Sequence, residues 1–389
     1  MFMDKTIKEL PIYISDGNYS SKYPRSEEFV EKGIPFIRAN NLLNGDITDD
    51  DMYYITPEKH DILQKGHVKT GDVLITTRGN IGQVGIVPDR HNDSNINAQI
   101  VLLRVDNKTI FNRYLLWALQ SKRAKEQYQS LQTGTALKQL PVGRLEQIKI
   151  KIVELEKQYS IANNLDRVQN IIQLRKQQLQ QLDELVKARF VELFGDCKNR
   201  VRLGDCCDVH ARIGWQALTK NEHMKTGEYM LVTGTDFKDG EINYSTCVYV
   251  AKERYEMDKH IVLKNDDVLI TKDGTIGKVA VVHNLPKPAT LNAGVFVVRP
   301  DDRFNKTFIA NVFRGTLFSD FVEDSKTGAT IKHLNQKHLV EFMIPVPSIN
   351  EQETFATFVK QIDKLKFVVQ KALDEAQMLF DSLMQEYFK

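Results

Sequence analysis

Residues Asp72 to Gly82 read DVLITTRGNIG, and residues Asp267 to Gly277 read DVLITKDGTIG. Eight of these eleven positions are identical, at an offset of 195 residues. A second repeated block, T-G-x-x-x-K-x-L, begins at Thr133 and again at Thr327, at an offset of 194. The chain therefore contains one domain written twice, which predicts two similar sites.

The repeated segments predict a mixed α+β fold. Short runs of β-branched and aliphatic residues, bounded by Gly or Pro, are typical of buried strands. They occur at 73–76, 84–87 and 100–103, and again at 268–271, 279–282 and 295–298. Asn112 and Asn305 are candidate N-caps of one helix in each half, over 112–131 and 305–323.

Each repeat then ends in a long helical pattern that contains neither Pro nor Gly. Apolar residues spaced alternately three and four positions apart predict the seam of a coiled coil. We expect two helices of roughly 35–38 residues, about 55 Å long, to pair in antiparallel fashion. The predicted seam and docking residues are Leu165, Val168, Ile172, Leu179, Leu182, Val186, Ile362, Leu365, Val369, Leu379 and Leu383. The expected organisation is a domain (1–155), a helix (156–197), a second domain (198–349) and a second helix (350–389).

Composition sets wider bounds. The 389 residues carry a net charge of +2 and are 42% hydrophobic, which allows two folded domains and demands no polyanionic partner. The amino-terminal residues lack a secretory apolar segment, so we expect a soluble, cytoplasmic protein. The four cysteines form no C-x-x-C pair and the histidines form no i, i+4 pair. The spacing therefore predicts free thiols and no metal site.

Catalytic signatures are weak. The stretch Gly274–Lys278 lacks the first Gly and the final hydroxyl residue of a phosphate-binding loop. Asp301, Asp324 and Lys326 fit the loose pattern of a metal-dependent nuclease, but the first repeat has no equivalent carboxylate and lysine. A nuclease and a repeat scaffold that binds proteins remain open as alternatives to a non-catalytic DNA-binding protein.

The remaining polar chemistry suits nucleic acid. Loop segments with Gly, Arg, Asn, Thr and Lys can contact phosphates and base edges. The candidate DNA-binding residues are Arg38, Asn40, Asn41, Arg78, Asn80, Thr133, Thr135, Lys138, Thr233, Thr235, Lys272, Thr275, Lys278, Thr327, Thr330 and Lys332. The apolar residues and glycines match between the repeats, whereas the polar tips differ. Two repeats with the same fold but different polar residues at their loop tips predict recognition of two different DNA half-sites.

This arrangement resembles the specificity subunits of type I restriction–modification systems. The resemblance rests on the two duplicated blocks and on the I-P-x-P-x-x-x-E-Q segment at 344–352, and it covers the whole chain. The first copy departs from that last segment, because residues 152–158 lack the prolines and have Lys157 opposite Glu351.

The resemblance implies two target-recognition domains that read a bipartite, asymmetric site in double-stranded DNA, separated by an antiparallel coiled coil. It also implies two docked modification (adenine methyltransferase) subunits and additional restriction subunits. S-adenosylmethionine, ATP and Mg²⁺ would belong to those partners, with no cofactor on this chain.

Overall fold

The structure, a computed structural model, describes residues 3–17, 22–135, 137–214, 218–327 and 334–389. The side chains of residue 220 and residues 325–327 are also outside the description. The chain forms two compact units. The first comprises Met1–Lys176 with Lys371–Lys389, and the second comprises Gln177–Gln370. None of the helices in the described ranges combines the length and the apolar composition that a membrane crossing needs.

The first unit contains a four-stranded antiparallel sheet, a small three-stranded sheet and two strand pairs. Its strands are β1 (Met3–Thr6), β2 (Ile12–Asp16), β3 (Ile34–Ile37), β4 (Leu42–Leu43), β5 (Asp46–Ile47), β6 (Tyr53–Ile55), β7 (Val73–Thr76), β8 (Val84–Ile86), β9 (Asn95–Ile96), β10 (Ile100–Val105) and β11 (Lys149–Ile152). The sheet orders are β2-β10-β7-β8, β6-β3-β9, β1-β11 and β4-β5. Strands β3 and β9 pair in parallel, and the other neighbours are antiparallel.

Helices cover and extend this unit. They are α1 (Pro57–Ile62), α2 (Asn112–Gln120), α3 (Lys122–Leu131), α4 (Val142–Leu145) and α5 (Leu155–Phe194), of which α5 continues into the second unit. The predicted helix over 112–131 is wrong in two respects, because it is broken at Ser121 and because Asn112 is not its N-cap. The Ser121 hydroxyl accepts a hydrogen bond from the Ala124 amide and so caps α3. Asn112 is the first helical residue, and Phe111 is the N-cap.

The second unit repeats the first, except that its short pair β15-β16 joins the main sheet through β19 and extends it to six strands. Its strands are β12 (Arg200–Arg202), β13 (Cys207–Ala211), β14 (Tyr229–Val232), β15 (Phe237–Lys238), β16 (Glu241–Ile242), β17 (Val248–Val250), β18 (Val268–Thr271), β19 (Val279–Val281), β20 (Ala289–Leu291), β21 (Val295–Pro300) and β22 (Met343–Pro345). The sheet orders are β13-β21-β18-β19-β16-β15, β17-β14-β20 and β12-β22. The mixed α+β architecture and the internal repeat are therefore confirmed.

The helices of the second unit are α6 (Lys252–Glu256), α7 (Lys306–Arg314), α8 (Thr316–Thr327), α9 (Gln336–Leu339) and α10 (Ile349–Phe388). The side chain of Asn305 accepts hydrogen bonds from the Thr307 and Phe308 amides, which confirms the predicted N-cap. The helix expected to run to residue 323 is again broken, here at Gly315. A Cβ there would lie 3.3 Å from the Asn311 carbonyl oxygen.

A buried glutamine fixes the start of each long helix. Gln158 accepts from the Phe111 amide and donates to the carbonyls of Thr109 and Val153. Gln352 makes the same three bonds in the second unit, with the amide of Asn305 and the carbonyls of Arg303 and Pro347. Both side chains are fully buried. The missing prolines in the first copy therefore do not alter how its helix begins.

The two long helices run antiparallel where the second unit contains both. Asp183 of α5 pairs with Lys366 of α10, while Phe190 packs on Phe355 at a ring distance of 5.5 Å. Going forward along α5 thus means going backward along α10. In the first unit the α5 and α10 segments also meet, since Asn164 donates to the Tyr387 hydroxyl.

The predicted seam is partly wrong in register. Six of its residues are buried: Leu165, Val168, Ile172, Val186, Ile362 and Val369. Leu179, Leu182 and Leu383 are half-buried, whereas Leu365 and Leu379 are about half exposed, at 52% and 51%. The buried positions of α10 include Val359 and Leu373 instead. Adjacent apolar residues, such as Phe367-Val368-Val369 and Met378-Leu379-Phe380, allow either register in the sequence, and side-chain packing decides between them.

Candidate nucleic-acid interface

The Gly-containing turn after β7 is held rigidly by one threonine. The Thr76 hydroxyl donates to the Asn80 carbonyl at 2.5 Å and accepts from the Gln83 amide at 3.0 Å. The Gly82 amide also donates to the Thr76 carbonyl at 2.9 Å. Thr271 makes the same two hydroxyl bonds after β18, with Thr275 and Lys278. Each turn therefore presents a fixed tip rather than a loose loop.

Two glycines explain the shape of the first turn. Gly79, at the tip, has a φ of +71°, and a Cβ there would meet nothing within 4 Å. Gly82 has a φ of +88°, and a Cβ there would lie 2.8 Å from the ring of Tyr128. Tyr128 is buried, its hydroxyl donates to the Leu119 carbonyl, and burial raises its pKa. The turn thus packs its base on α3 and extends its tip into solvent.

Backbone hydrogen bonds join the three predicted loop segments into one surface. The Asn97 amide donates to the Ile37 carbonyl at 2.9 Å, next to Arg38. The Thr77 amide donates to the Gln99 carbonyl at 2.8 Å, and the Leu140 amide donates to the Thr77 carbonyl at 2.8 Å. We call this surface the first platform; it comprises residues 38–41, 77–80, 97–99, 133–135 and 137–140.

The second unit reproduces the connection. The Asn292 amide donates to the Val232 carbonyl, the Lys272 amide to the Gly294 carbonyl and the Leu334 amide to the Lys272 carbonyl, each at 2.9 Å. The second platform comprises residues 233–236, 272–275, 278, 292–294 and 334. Thr330 and Lys332 lie outside the described residues, and the side chain of Thr327 is not described.

The structure separates exposed candidate residues from those with internal roles. Exposed candidates on the first platform are Asn40, Arg78, Asn80, Thr135 and Lys138, and on the second platform Thr235, Thr275 and Lys278. Thr133, Thr233 and Lys272 are half-buried. Asn41 is fully buried, where it accepts from the Arg38 amide and donates to the carbonyls of Thr48 and Asp50. Asn41 thus shapes the turn.

Arg38 is occupied within the protein. Its guanidinium pairs with Asp51 at 2.6 Å and lies 3.4 Å from the centre of the Tyr53 ring. Asn40 donates to the same carboxylate at 3.3 Å. At the corresponding position of the second platform, Thr233 bonds to Asp236 at 2.9 Å. Both residues therefore have a structural part in holding the 3₁₀ turn that follows β3 or β14.

Gln99 belongs to the first platform but was absent from the sequence-based candidates. Its side chain is exposed and accepts a hydrogen bond from the Asn97 amide group at 3.1 Å. The repeat pairing of Asn97 with Asn292 marked this segment, and counting outward from it identifies Gln99 opposite Gly294. The platforms therefore also differ here, because the first has an exposed side-chain amide where the second has a glycine.

The nuclease pattern is not favoured by the geometry around Asp301. Its carboxylate pairs with Arg303 at 2.7 Å, and the hydrogen bond from Arg303 holds the pKa of Asp301 below its usual range. The Lys326 side chain is not described. A carboxylate already paired with a guanidinium is a poor ligand for a catalytic metal ion.

The family comparison decides the assignment of the two units. The model of the type I restriction modification DNA specificity domain matches residues 12–184 and again residues 197–376. The chain belongs to this family. The two matches coincide with the two repeats, each with its platform and most of its long helix, and they support the DNA-recognition prediction over the alternatives.

Curated relatives of the family span most of the chain. The StySPI specificity subunit of Salmonella potsdam is 22% identical over 92% of this chain and 82% of its own length. The MjaVIII specificity subunit of Methanocaldococcus jannaschii is 22% identical over 74% of this chain and 72% of its own length. Both carry the name of a type I restriction enzyme specificity subunit.

Solved structures share the fold. A type I restriction–modification S subunit from M. genitalium superposes with a TM-score of 0.59 at 16% identity. The match covers 100% of this chain and 96% of that chain. At this level of identity the likeness shows the fold alone, and it agrees with the duplicated domain and long helices described above.

Proposed function

We propose that this chain is the DNA specificity subunit of a type I restriction–modification complex, and that each platform contacts one half of a bipartite, asymmetric duplex target. The supporting observation is that the two platforms share their backbone hydrogen bonds but not their exposed side chains. A common scaffold gives both platforms the same approach to a duplex. Different side chains give each a different preference for bases.

The first platform carries side chains suited to purine edges. Arg78 can donate two hydrogen bonds to guanine, and exposed Asn or Gln side chains can pair with adenine. Asn80 flanks Arg78 on the tip, and Gln99 lies on the adjoining segment. Lys138 is the lysine of the T-G-x-x-x-K-x-L block, and its ammonium group can bind a phosphate.

The second platform is different in chemistry. Its tip has Lys272 and Asp273, which pair at 3.7 Å, in place of Thr77 and Arg78. Thr275 and Lys278 are exposed beside them, and Gly294 replaces Gln99. Such a surface has a different pattern of donors and acceptors from the first, so a target with two identical halves would not suit it.

The long helices supply a surface for partner subunits. Large apolar side chains on them are 46–72% exposed: Ile171, Leu174, Met378 and Leu379 in the first unit, and Leu185, Val191, Leu365, Phe367 and Val368 in the second. Large exposed apolar residues on a helix are typical of protein-binding surfaces. Modification subunits docked there would supply S-adenosylmethionine and methyl transfer, and restriction subunits would supply ATP-driven cleavage with Mg²⁺.

A lysine substitution tests the DNA-binding role of the first platform. Lys138→Ala should weaken binding to a mixed-sequence duplex and should reduce the slope of log affinity against log salt by about 0.9, because one phosphate contact is lost. The measurement is fluorescence anisotropy with labelled duplex over a series of salt concentrations. The matched control is Lys122→Ala, since Lys122 is 92% exposed on α3 but lies off the platform.

If the Lys138 and Lys122 substitutions change the affinity and its salt dependence equally, the first platform is not the DNA-binding surface. A wild-type chain that shows no salt-dependent affinity for any duplex would favour the protein-binding scaffold instead. Cleavage of the duplex by the purified chain with Mg²⁺ alone would favour the nuclease.

A further inference from the structure

Two histidines and an aspartate of the first unit converge on one point. His60 lies on α1, His67 precedes β7, and Asp93 precedes β9. His60 Nε2 lies 3.6 Å from one Asp93 carboxylate oxygen, and His67 Nδ1 lies 4.0 Å from the other. The two imidazole rings are 4.4 Å apart at 68° to each other. One ligand atom from each of the three residues lies within 4.8 Å of the other two.

The outer nitrogen of each ring is held by an oxygen. His67 Nε2 lies 2.5 Å from the Leu63 carbonyl oxygen, so it carries the proton and leaves the Nδ1 lone pair directed at Asp93. His60 Nδ1 lies 2.5 Å from the Asn95 side-chain oxygen, which in the same way leaves the Nε2 lone pair for the cluster. Metal-ligating histidines have this pattern, in which the outer N–H donates to an oxygen that fixes the tautomer.

The backbone holds the three positions before any ligand binds. The Asp93 amide donates to the Val68 carbonyl at 2.8 Å, and the Val68 amide donates to the Ser94 carbonyl at 2.9 Å. Asp93 itself has a φ of +63°, a left-handed conformation that Asp and Asn tolerate better than most residues. His67 is therefore tied to the Asp93 segment through its neighbour in the chain.

We propose that His60, His67 and Asp93 form a Zn²⁺ site, with water as the fourth ligand. Tetrahedral Zn²⁺ with ligands at about 2.1 Å requires neighbouring ligand atoms about 3.4 Å apart. One ligand atom of each residue lies within 4.8 Å of the other two, so small side-chain rotations would bring the three to that spacing. Two imidazoles and one carboxylate are a donor set that suits zinc better than Mg²⁺ or Ca²⁺, which prefer oxygen ligands. The sequence does not indicate this metal site, because its three ligands come from segments that are separate along the chain.

The site belongs to the first unit alone. The residues of the second repeat at the same offset of 195 are Tyr255, Val262 and Pro288, none of which is a metal ligand. Bound zinc would join α1 to the segment that enters β9. Because β9 pairs with β3 and is followed by Asn97, the metal would brace the strand pair from which the first platform extends.

Zinc titration of the full-length, untagged chain tests this site. Wild-type protein should bind one Zn²⁺ by isothermal titration calorimetry and should show a higher melting temperature with zinc. Asp93→Asn keeps a residue that tolerates the left-handed backbone but removes the charged ligand. We expect this variant and His67→Gln to lose affinity by at least about tenfold and to lose the zinc-dependent shift.

The control is His283→Gln, an exposed histidine of the second unit, which should leave the stoichiometry and affinity unchanged. The proposal is wrong if wild type takes up no zinc in this titration, or if Asp93→Asn and His67→Gln bind zinc as tightly as wild type. Neither result bears on the DNA-binding proposal, since none of the three ligands is a platform residue.

Discussion

Lengthening both long helices by seven residues should lengthen the unread spacer of the methylated target by about three base pairs. Seven residues add about 10.5 Å of helix, and stacked base pairs rise about 3.4 Å. The insertions would be placed between Lys176 and Gln177 and between Gln370 and Lys371, where both helices cross from one unit to the other. Seven residues are one full heptad, so the seam of each helix keeps its phase.

The measurement is genome-wide mapping of methylated adenines in cells that contain the variant and the modification subunits. Both half-site sequences should stay as they are, and the original spacing should lose its methylation. The control is the insertion in α5 alone, which leaves α10 too short to match and should abolish methylation at every spacing. We infer from the proposed function that the long helices set the distance between the half-sites, and methylation of the original spacing by the doubly extended variant would contradict this inference.

Arg104→Ala should destabilise the first unit by about 3–5 kcal/mol, because it leaves a buried carboxylate without its cation. Asp72, the first residue of the repeated block, is 1% exposed, and Arg104 binds both of its oxygens at 2.7 Å. Asp267 and Arg299 form the same pair in the second unit. Urea unfolding followed by circular dichroism measures the loss.

The matched control is Arg123→Ala, which removes a partly exposed pair with Asp4 on the same unit. Solvent can replace that pair, so we expect a loss of about 0–1 kcal/mol. Similar losses for the two arginine variants would show that burial of Asp72 does not govern the stability of this sheet. The presence of an aspartate at this position in both repeats, Asp72 and Asp267, would then need another explanation.

Much of the fold could be predicted because repetition and local chemistry point the same way. Val73–Thr76 and Val268–Thr271 are short, apolar and β-branched, and they form the central strands. Asn305 caps its helix as its position before an amphipathic segment suggests. The antiparallel direction of the long helices also follows from the order of the repeats along the chain.

Features that depend on tertiary contacts could not be predicted. Ser121 and Gly315 each end one helix and begin another, although the apolar pattern continues through both. The sequence marks Arg38 as a candidate DNA-binding residue, whereas in the structure its guanidinium contacts Asp51 and Tyr53. The His60 cluster needs three segments that only folding brings together, so spacing along the chain gives no sign of it.

The loop segments of the candidate site could be identified from the sequence, but the contacts that join them could not. Arg78, Asn80 and Lys138 come together on the first platform because the Thr77 carbonyl receives the Leu140 amide, a contact that joins two blocks that the sequence treats separately. The Asn41 side chain has the donor and acceptor that could pair with adenine, but it is buried and donates to the Asp50 carbonyl next to the 3₁₀ turn. Their individual contacts with DNA remain predictions.

The central claim is that each platform reads its own half-site, and methylated-adenine mapping of two single variants tests it directly. Arg78→Ala should relax one half-site, at a cost of about 1–3 kcal/mol for a bidentate contact with guanine, and should leave the other half unchanged. Lys278→Ala, on the second platform, should affect only that other half-site or the overall affinity. A methylation motif unchanged by Arg78→Ala, or altered in both halves by it, would contradict the account.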